Sequence, residues 1–323
     1  MRIRIMRLRP AMPRVALLGA VTMCGSTALA GEFAAIRQAT DPDRLDKFNI
    51  ANPAVSTIIA STAGNFVRGV QMTGPDDGYY VCTDNIGASP IGFFAMTNGV
   101  SAQVGSLPFA SGSDGGLCFN AAKTSLYWLA DPPSDGTTDP DDALFRIDFN
   151  GTVTPLGGLT VTGVSPLAII GIAIHPTTGV LYGLESTSDS LITINPLTGT
   201  GTKVGTGLGI TVPLVGDMDF DSDGTLYIII NNTGDVRAVD VNTGVAGPLV
   251  GQFGVNCSAI SLIPAPACPA DVTGDGSVNV TDLLAVIGAW GACPVPCAAD
   301  TNNDGQVNVT DLLAVIGAWG ACA

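Results

Sequence analysis

The chain has one histidine, His175, in 323 residues, and only 13% of its residues are charged. A single imidazole gives no assured Ser/His/Asp arrangement, and neither G-x-S-x-G nor H-E-x-x-H occurs. No catalytic constellation is identifiable, although paired carboxylates for glycoside hydrolysis depend on the fold and stay open. Lysine and glutamate are scarce while Gly (41) and Pro (21) are plentiful, which favours short strands joined by turns over long helices. Basic charge is also short, with 13 Lys and Arg against 28 Asp and Glu, so nucleic acid is excluded as a partner. Beyond residue 30 no run reaches ~18 uninterrupted apolar residues, and no membrane span is expected.

What is present begins with a leader. Arg2, Arg4, Arg7, Arg9 and Arg14 form a basic region, "VALLGAVTM" an apolar one, and Ala28-Leu29-Ala30 a small-x-small cleavage site. Residues 1–30 therefore read as a signal peptide cut near Ala30, and the product as secreted or held at the cell surface. Cleavage removes five of the thirteen basic residues and none of the 28 acidic ones, leaving a net charge of −20. Seven of the eight cysteines remain, in a compartment where they can pair.

At the other end, "VNVTDLLAVIGAWGAC" occurs at Val278–Cys293 and again, letter for letter, at Val307–Cys322. Before each copy stands a run of oxygen side chains, and together they define the twelve-residue loops Asp271–Asp282 and Asp300–Asp311. Read as calcium loops, the first offers Asp271, Thr273, Asp275, the carbonyl of Ser277, and Asp282. The second offers Asp300, Asn302, Asp304, the carbonyl of Gln306, and Asp311. Ca²⁺ takes six to eight hard oxygens, and a tightly curved loop aims alternate residues at one centre only where a glycine takes the turn, here Gly276 and Gly305. After each loop, Leu283, Leu284, Val286, Ile287 and Trp290, and their equivalents Leu312, Leu313, Val315, Ile316 and Trp319, fall on one apolar helical face. Asp282 and Asp311 are expected to cap these helices while ligating the ion.

This doubled pattern, D-x-N/T-x-D-G-x-V-N-x-x-D, resembles the type I dockerin over Cys268–Ala323. The resemblance implies a small α domain with near two-fold symmetry that binds two Ca²⁺ and docks onto a cohesin-like partner. Recognition in that family lies at loop positions 10 and 11, which are Val280, Thr281, Val309 and Thr310 here; Val departs from the common Ser at position 10, and Thr273 from the usual Asn or Asp at position 3. Identical halves related by a half-turn would offer a partner either copy. From Pro264 onward there are six aspartates and no Lys, Arg or Glu, so two Ca²⁺ would change the formal charge from −6 to −2. Antiparallel helices would favour pairing Cys268 with Cys322 and Cys293 with Cys297, with pairing inside each unit as the alternative.

Between these ends lies a looser repeat. "GVQMTGPDDGYYV", "GLCFNAAKTSLYWL", "GIAIHPTTGVLYGL" and "GDMDFDSDGTLYII" align on Gly69, Gly116, Gly171 and Gly216, and set Tyr80, Tyr127, Tyr182 and Tyr227 at a matched place. Each unit continues into two further strands, and four short strands repeating every ~45 residues look like blades of a β-propeller. "LDKFNIANPAVSTIIAST" supplies two outer strands and "CSAISLIP" an inner one, so the ends would close a fifth blade; a solenoid or sandwich is the alternative. His175 falls at a strand-to-turn boundary of this repeat and reads as structural. "DMDFDSDG" reads as a hairpin turn more than a calcium loop, Asp131–Asp142 as a solvated acidic insertion, and Cys82, Cys118 and Cys257 as one disulfide plus one thiol.

The expected organisation is mainly β: leader 1–30, β-propeller-like domain of about five blades 31–263, linker 264–269, and a small α calcium-binding dockerin-like domain 270–323. A secreted binding protein that docks through its tail is the leading function. An extracellular carbohydrate-active enzyme of polysaccharide catabolism, with its site in the propeller, and a cell-surface structural protein are the alternatives. A polysaccharide or cell-surface component is a further candidate partner.

Overall fold

The computed structural model describes residues 31–38, 42–63, 67–82, 91–107, 115–130, 142–165, 167–212, 216–230, 234–264, 268–273, 276–292, 297–302 and 305–322. The expected leader, most of the expected acidic insertion and the centre of the expected linker lie outside them. Three strands open the chain: β1 (Glu32–Arg37), β2 (Arg44–Asn49) and β3 (Ser56–Ser61). A second group is β4 (Gly69–Met72), β5 (Gly78–Cys82), β6 (Ile91–Thr97) and β7 (Val100–Leu107). A third is β8 (Gly115–Phe119), β9 (Leu126–Ala130), β10 (Ala143–Ile147) and β11 (Val153–Gly158). The short β12 (Thr160–Val161) precedes β13 (Ile169–Ile174), β14 (Leu181–Glu185), β15 (Ser190–Asn195) and β16 (Thr200–Lys203), and pairs with β16. The fifth group is β17 (Gly216–Phe220), β18 (Leu226–Ile230), β19 (Asp235–Val239) and β20 (Ala246–Gln252).

One more strand, β21 (Cys257–Leu262), returns to pair with β1 in a sheet ordered β21-β1-β2-β3. The two ends of the segment thus build one blade together. The result is a five-bladed β-propeller whose inner strands, β21, β4, β8, β13 and β17, touch one another around a closed ring. Three N-terminal strands enter the closing blade rather than the two expected; β1 was missed because "EFAAIR" carries no alternation. Its residues Phe33 to Ile36 are all fully buried, between neighbouring blades on both sides. The same reasoning explains the continuous burial of β4 and β14, whereas the outermost β11 and β20 are mostly open to solvent.

The ladders correct the repeat alignment by one residue at two places. Gln71, Cys118, Ala173 and Asp219 stand opposite Tyr79, Tyr127, Tyr182 and Tyr227. The matched tyrosine of the second blade is therefore Tyr79, which stacks on Phe149 of the third blade at 5.2 Å between centroids. Tyr80 points the opposite way, into the core shared with the closing blade, because a one-residue slip exchanges the faces of a strand. By the same register Asp217, not Gly216, occupies the place of Gly69, Gly116 and Gly171.

An aspartate immediately before the third strand ties successive blades together. The carbonyls of Asp43, Asp142 and Asp189 accept from Thr62, Leu159 and Leu208 at the end of their own blade, at 2.7–2.9 Å. Their carboxylates reach on towards the next blade, accepting from the backbone N–H of Val67 (3.2 Å), Ile169 (2.8 Å) and Val212 (2.8 Å). Asp142 is consequently buried, which corrects its placement in a solvated insertion; Asp131 to Asp141 lie outside the described residues. In the fifth blade Gly234 holds this place and only the carbonyl bond, from Phe253, remains.

"DMDFDSDG" forms β17 and the hairpin turn after it, with Gly224 donating to the Asp221 carbonyl and Thr225 to the Asp223 carboxylate. His175 is structural: its Nδ1 accepts from the N–H groups of Thr177 and Thr178, and its ring packs 5.0 Å from that of Phe220. Cys82, Cys118 and Cys257 are buried as thiols, so the disulfide expected among them is not formed. They lie on inner or second strands of three different blades, and burial pushes the Cys118 and Cys257 thiols well up, away from nucleophilic chemistry.

Candidate functional site: calcium loops and docking helices

The tail consists of β22 (Ser277–Val278), α1 (Val280–Gly288), β23 (Gly291–Ala292), β24 (Gln306–Val307), α2 (Val309–Gly317) and β25 (Gly320–Ala321). Its short strands pair crosswise, β22 with β25 and β23 with β24. Each loop is thus tied to the chain that leaves the other helix. The Cys268–Cys322 disulfide closes this arrangement with its Cα atoms 5.9 Å apart. Cys297 is also disulfide-bonded, while Cys293, its expected partner, lies outside the described residues.

Both loops turn at a glycine in the left-handed region, Gly276 at φ +83° and Gly305 at φ +88°. There the glycine N–H donates to the first aspartate, Gly276 to Asp271 (2.8 Å) and Gly305 to Asp300 (2.7 Å). The last aspartate of each loop closes it from the other side. Oδ1 of Asp282 accepts from the N–H and hydroxyl of Thr273, both at 2.9 Å, and Oδ1 of Asp311 accepts from those of Thr301 at 2.9 and 3.0 Å. The donors differ by one position, because the threonine is third in the first loop and second in the other.

Helix capping departs from expectation. Asn279 and Asn308 are the N-caps, and Asp282 and Asp311, three residues later, complete capping boxes by accepting from the Asn N–H groups at 2.8 and 2.9 Å. The helices start earlier than the apolar run because asparagine at loop position 9 already satisfies the first free N–H. Burial works against ionising Asp282 and Asp311, yet the backbone and threonine donors prevail and hold both carboxyls below the usual range.

The donor chemistry fits Ca²⁺. Asp271 and Asp282 in one loop, and Asp300 and Asp311 in the other, are held by backbone donors on either side of a glycine turn, with Thr273, Asn302 and the Ser277 and Gln306 carbonyls in sequence between them. Asp275 and Asp304 lie outside the described residues, among which no group of three His, Cys, Asp or Glu side chains forms a metal cluster.

The dockerin type I domain family matches residues 269–319. The tail is a dockerin type I domain. Such domains bind calcium and dock onto cohesins, and the proteins that carry them are typically extracellular or at the cell surface. A second family, a domain of unknown function (DUF4394), matches residues 143–223, within the propeller. A comparison with curated proteins finds no match. Among solved structures, the nidogen/laminin complex aligns at 10% identity and TM-score 0.43 over 73% of this chain and 99% of that one. A protein of unknown function from Bacteroides thetaiotaomicron aligns at 15% and 0.47 over 72% and 62%. Regucalcin, a calcium-binding protein from Agrobacterium tumefaciens, aligns at 14% and 0.41 over 73% and 79%.

In the dockerin domain the apolar helix residues divide between two faces instead of sharing one. Val286 and Val315 are fully buried with Val278 and Val307, and Leu283 and Leu312 pack against them. Val280, Leu284 and Ile287 instead form an outward stripe, each at least half exposed, and Val309, Leu313 and Ile316 repeat it. Trp290 and Trp319 are 54% exposed. A helix of nine residues over so small a core has room for one buried line only. Thr281 and Thr310 are exposed at the head of each stripe, Thr281 bonded through both N–H and hydroxyl to Asn279.

At the propeller's centre, polar side chains satisfy the inward-facing edges of the inner strands. Ser261 accepts from Met72 N–H (3.0 Å), Gln71 from Phe119 N–H (3.2 Å), Asp217 from Ile260 N–H (3.0 Å) and Asp219 from Leu262 N–H (2.8 Å). Burial raises the Asp219 carboxyl to about 6, with Asp221 adding to it, and raises Asp217 well above its ordinary value, with Asp219 adding to it. Both carboxylates therefore serve the seam with β21. The sequence signal for them is a departure within the repeat: Asp217 and Asp219 stand where the other blades have Gly69, Gly116, Gly171 and Gln71, Cys118, Ala173.

Proposed function

We propose that this is an exported docking protein, released from its leader near Ala30, whose dockerin domain binds two Ca²⁺ and presents the two outward stripes to a cohesin-like domain. The ligands are Asp271, Thr273, Asp275, Ser277 and Asp282 in one loop, and Asp300, Asn302, Asp304, Gln306 and Asp311 in the other. Val280 and Thr281, or Val309 and Thr310, head the face that meets the partner. One observation carries the reading: two copies of one sequence each leave Val, Leu and Ile exposed on a helix that starts inside a calcium-type loop.

The chemistry of that face defines its partner. From residue 264 the formal charges are the loop aspartates alone, so the stripes meet an apolar, uncharged surface, and binding should change little with salt. The propeller, 31–263, is the cargo that docking brings to the assembly, with 264–269 as linker. The test is capture of the full-length exported protein by immobilised cohesin domains in 1 mM Ca²⁺ and in EGTA. Retention in calcium and release by EGTA are expected; equal retention in both would overturn the calcium dependence, and no retention in either would overturn the cohesin assignment.

A further inference from the structure

We infer that removal of the leader creates, at the α-amino group of Gly31, an ion pair with Asp221 that locks the seam where the propeller closes. The inference rests on the proposed cleavage after Ala30. Gly31–Ala323 form one compact unit.

The Gly31 nitrogen donates to Oδ2 of Asp221, 190 residues further along the chain, at 3.4 Å. Gly31 belongs to the closing blade: it leads directly into β1, and its carbonyl accepts from Ile50 N–H at 3.1 Å. Asp221 belongs to the fifth blade, in the turn between β17 and β18. The contact therefore joins the two blades that the chain must bring together last in sequence. Asp221 is 7% exposed, and its other oxygen, Oδ1, already accepts from Ser222 N–H and hydroxyl. Among the described residues the donor on Oδ2 is Gly31.

A side chain at position 31 would have to displace the Asp221 carboxylate. A Cβ there would stand 2.8 Å from Asp221 Oδ1 and 3.1 Å from its Cγ and Oδ2. With no Cβ in the way, the main-chain nitrogen is delivered directly to the carboxylate. In the precursor that nitrogen is a neutral amide. A leader-cleaving endopeptidase hydrolyses the Ala30–Gly31 bond: the water oxygen adds to the Ala30 carbonyl carbon, the C–N bond breaks, Ala30 leaves as a carboxylate, and the released amine takes up a proton. The resulting ammonium faces a half-closed carboxylate. Charge-assisted N–H···O contacts run to about 2.7–2.9 Å, so the pair should draw in by roughly half an ångström from its amide geometry.

The other titratable groups around the pair are Asp219, Asp223 and Tyr227 on the same hairpin, His175 beside Gly224 in its turn, Glu32 next along β1 and Lys47 on β2. Burial raises the Tyr227 phenol, with Asp221 and Asp223 adding to it, so it stays neutral below pH 9. Asp219 titrates at about 6, below the amine, and the ¹⁵N signal of residue 31 together with the acetylated control separates the two. A carboxylate partner raises the amine pKa, so the pair's contribution is complete below the unfolded value of about 7.7–8.0 and fades as pH rises through the folded value.

The experiment has two parts. N-terminal sequencing of the exported protein reads the cleavage point; Gly31 is expected, and another first residue overturns the processing step. Separately, chains verified to begin at Gly31 are compared as wild type, D221N, and wild type acetylated at the amine, by ¹⁵N titration of residue 31 and by thermal unfolding at pH 6.5 and 9. The wild-type amine should titrate about one unit above the ordinary value, and D221N should return it there. Wild type should lose roughly 3 °C in Tm between the two pH values that the acetylated chain does not lose. An amine titrating normally in folded wild type, or the same Tm loss after acetylation, overturns the ion pair and leaves the cleavage result standing.

Discussion

Replacing Asp219 by asparagine should stabilise the propeller at neutral pH, against the usual outcome of changing a buried, hydrogen-bonded residue. Asp219 has its carboxyl raised from 3.8 to about 6, chiefly by burial, while accepting from Leu262 N–H. A group with a raised folded-state value contributes most below the unfolded value and loses that contribution as pH rises through the folded one. Between pH 3.8 and about 6 the wild type should therefore lose stability, and a shift of two units corresponds to ~3 kcal/mol. The D219N amide oxygen keeps the bond to Leu262 without the charge but gives up the one Oδ1 accepts from Phe220 N–H (2.8 Å), so the variant should lack this slope and exceed wild type at pH 7 by ~1–2 kcal/mol. Asp217, also raised by burial, keeps its own slope, made shallower when its charged neighbour goes. Urea denaturation at pH 4, 5, 6 and 7 measures the effect, followed by the emission of buried Trp128 in a background where Trp290 and Trp319 are phenylalanine. A D219N profile parallel to wild type across this range, or a variant less stable at pH 7, would refute the reasoning.

Thr273→Asn should raise the calcium affinity of the first loop several-fold, since Thr273 gives its hydroxyl to Asp282 while the second loop keeps Asn302 at that position; calorimetric titration should show two unequal sites in wild type and closer ones in the variant. Leu284→Ala with Leu313→Ala should weaken cohesin capture at least tenfold with Tm changed by no more than about 1 °C, whereas Val286→Ala, in the core, should destabilise the dockerin domain by ~1–3 kcal/mol. Asp142→Ala, which leaves the Ile169 N–H without its acceptor, should cost the propeller ~1–3 kcal/mol in denaturant unfolding, and Asp142→Asn should recover most of it.

The dockerin domain was legible because its chemistry is local. Twelve residues carry a whole calcium loop, so glycines 276 and 305 and the alternating oxygens can be read without knowing any long-range contact. The helix faces were read less well, because Val286 and Leu284 are equally apolar and only the size of the core decides which one is buried. In the propeller, the strands of the four aligned units and the closing of the ring followed from the repeat, but β1 and the register did not. Tyr79 and Tyr80 are adjacent and identical, and the choice between them is made by packing against Phe149 in another blade. The inter-blade bonds of Asp43, Asp142 and Asp189 left a visible trace, an aspartate before the third strand of three of the five blades. Its meaning depends on an N–H group some 23 to 27 residues away.

The crosswise pairing of β22 with β25 and β23 with β24 has a consequence for how such a tail can be cut. Neither half has its hydrogen-bond complement within itself, so a single copy would have to borrow that complement from another molecule. Truncating the present chain before its second loop should therefore leave a module that self-associates, its free edges paired with those of a second copy.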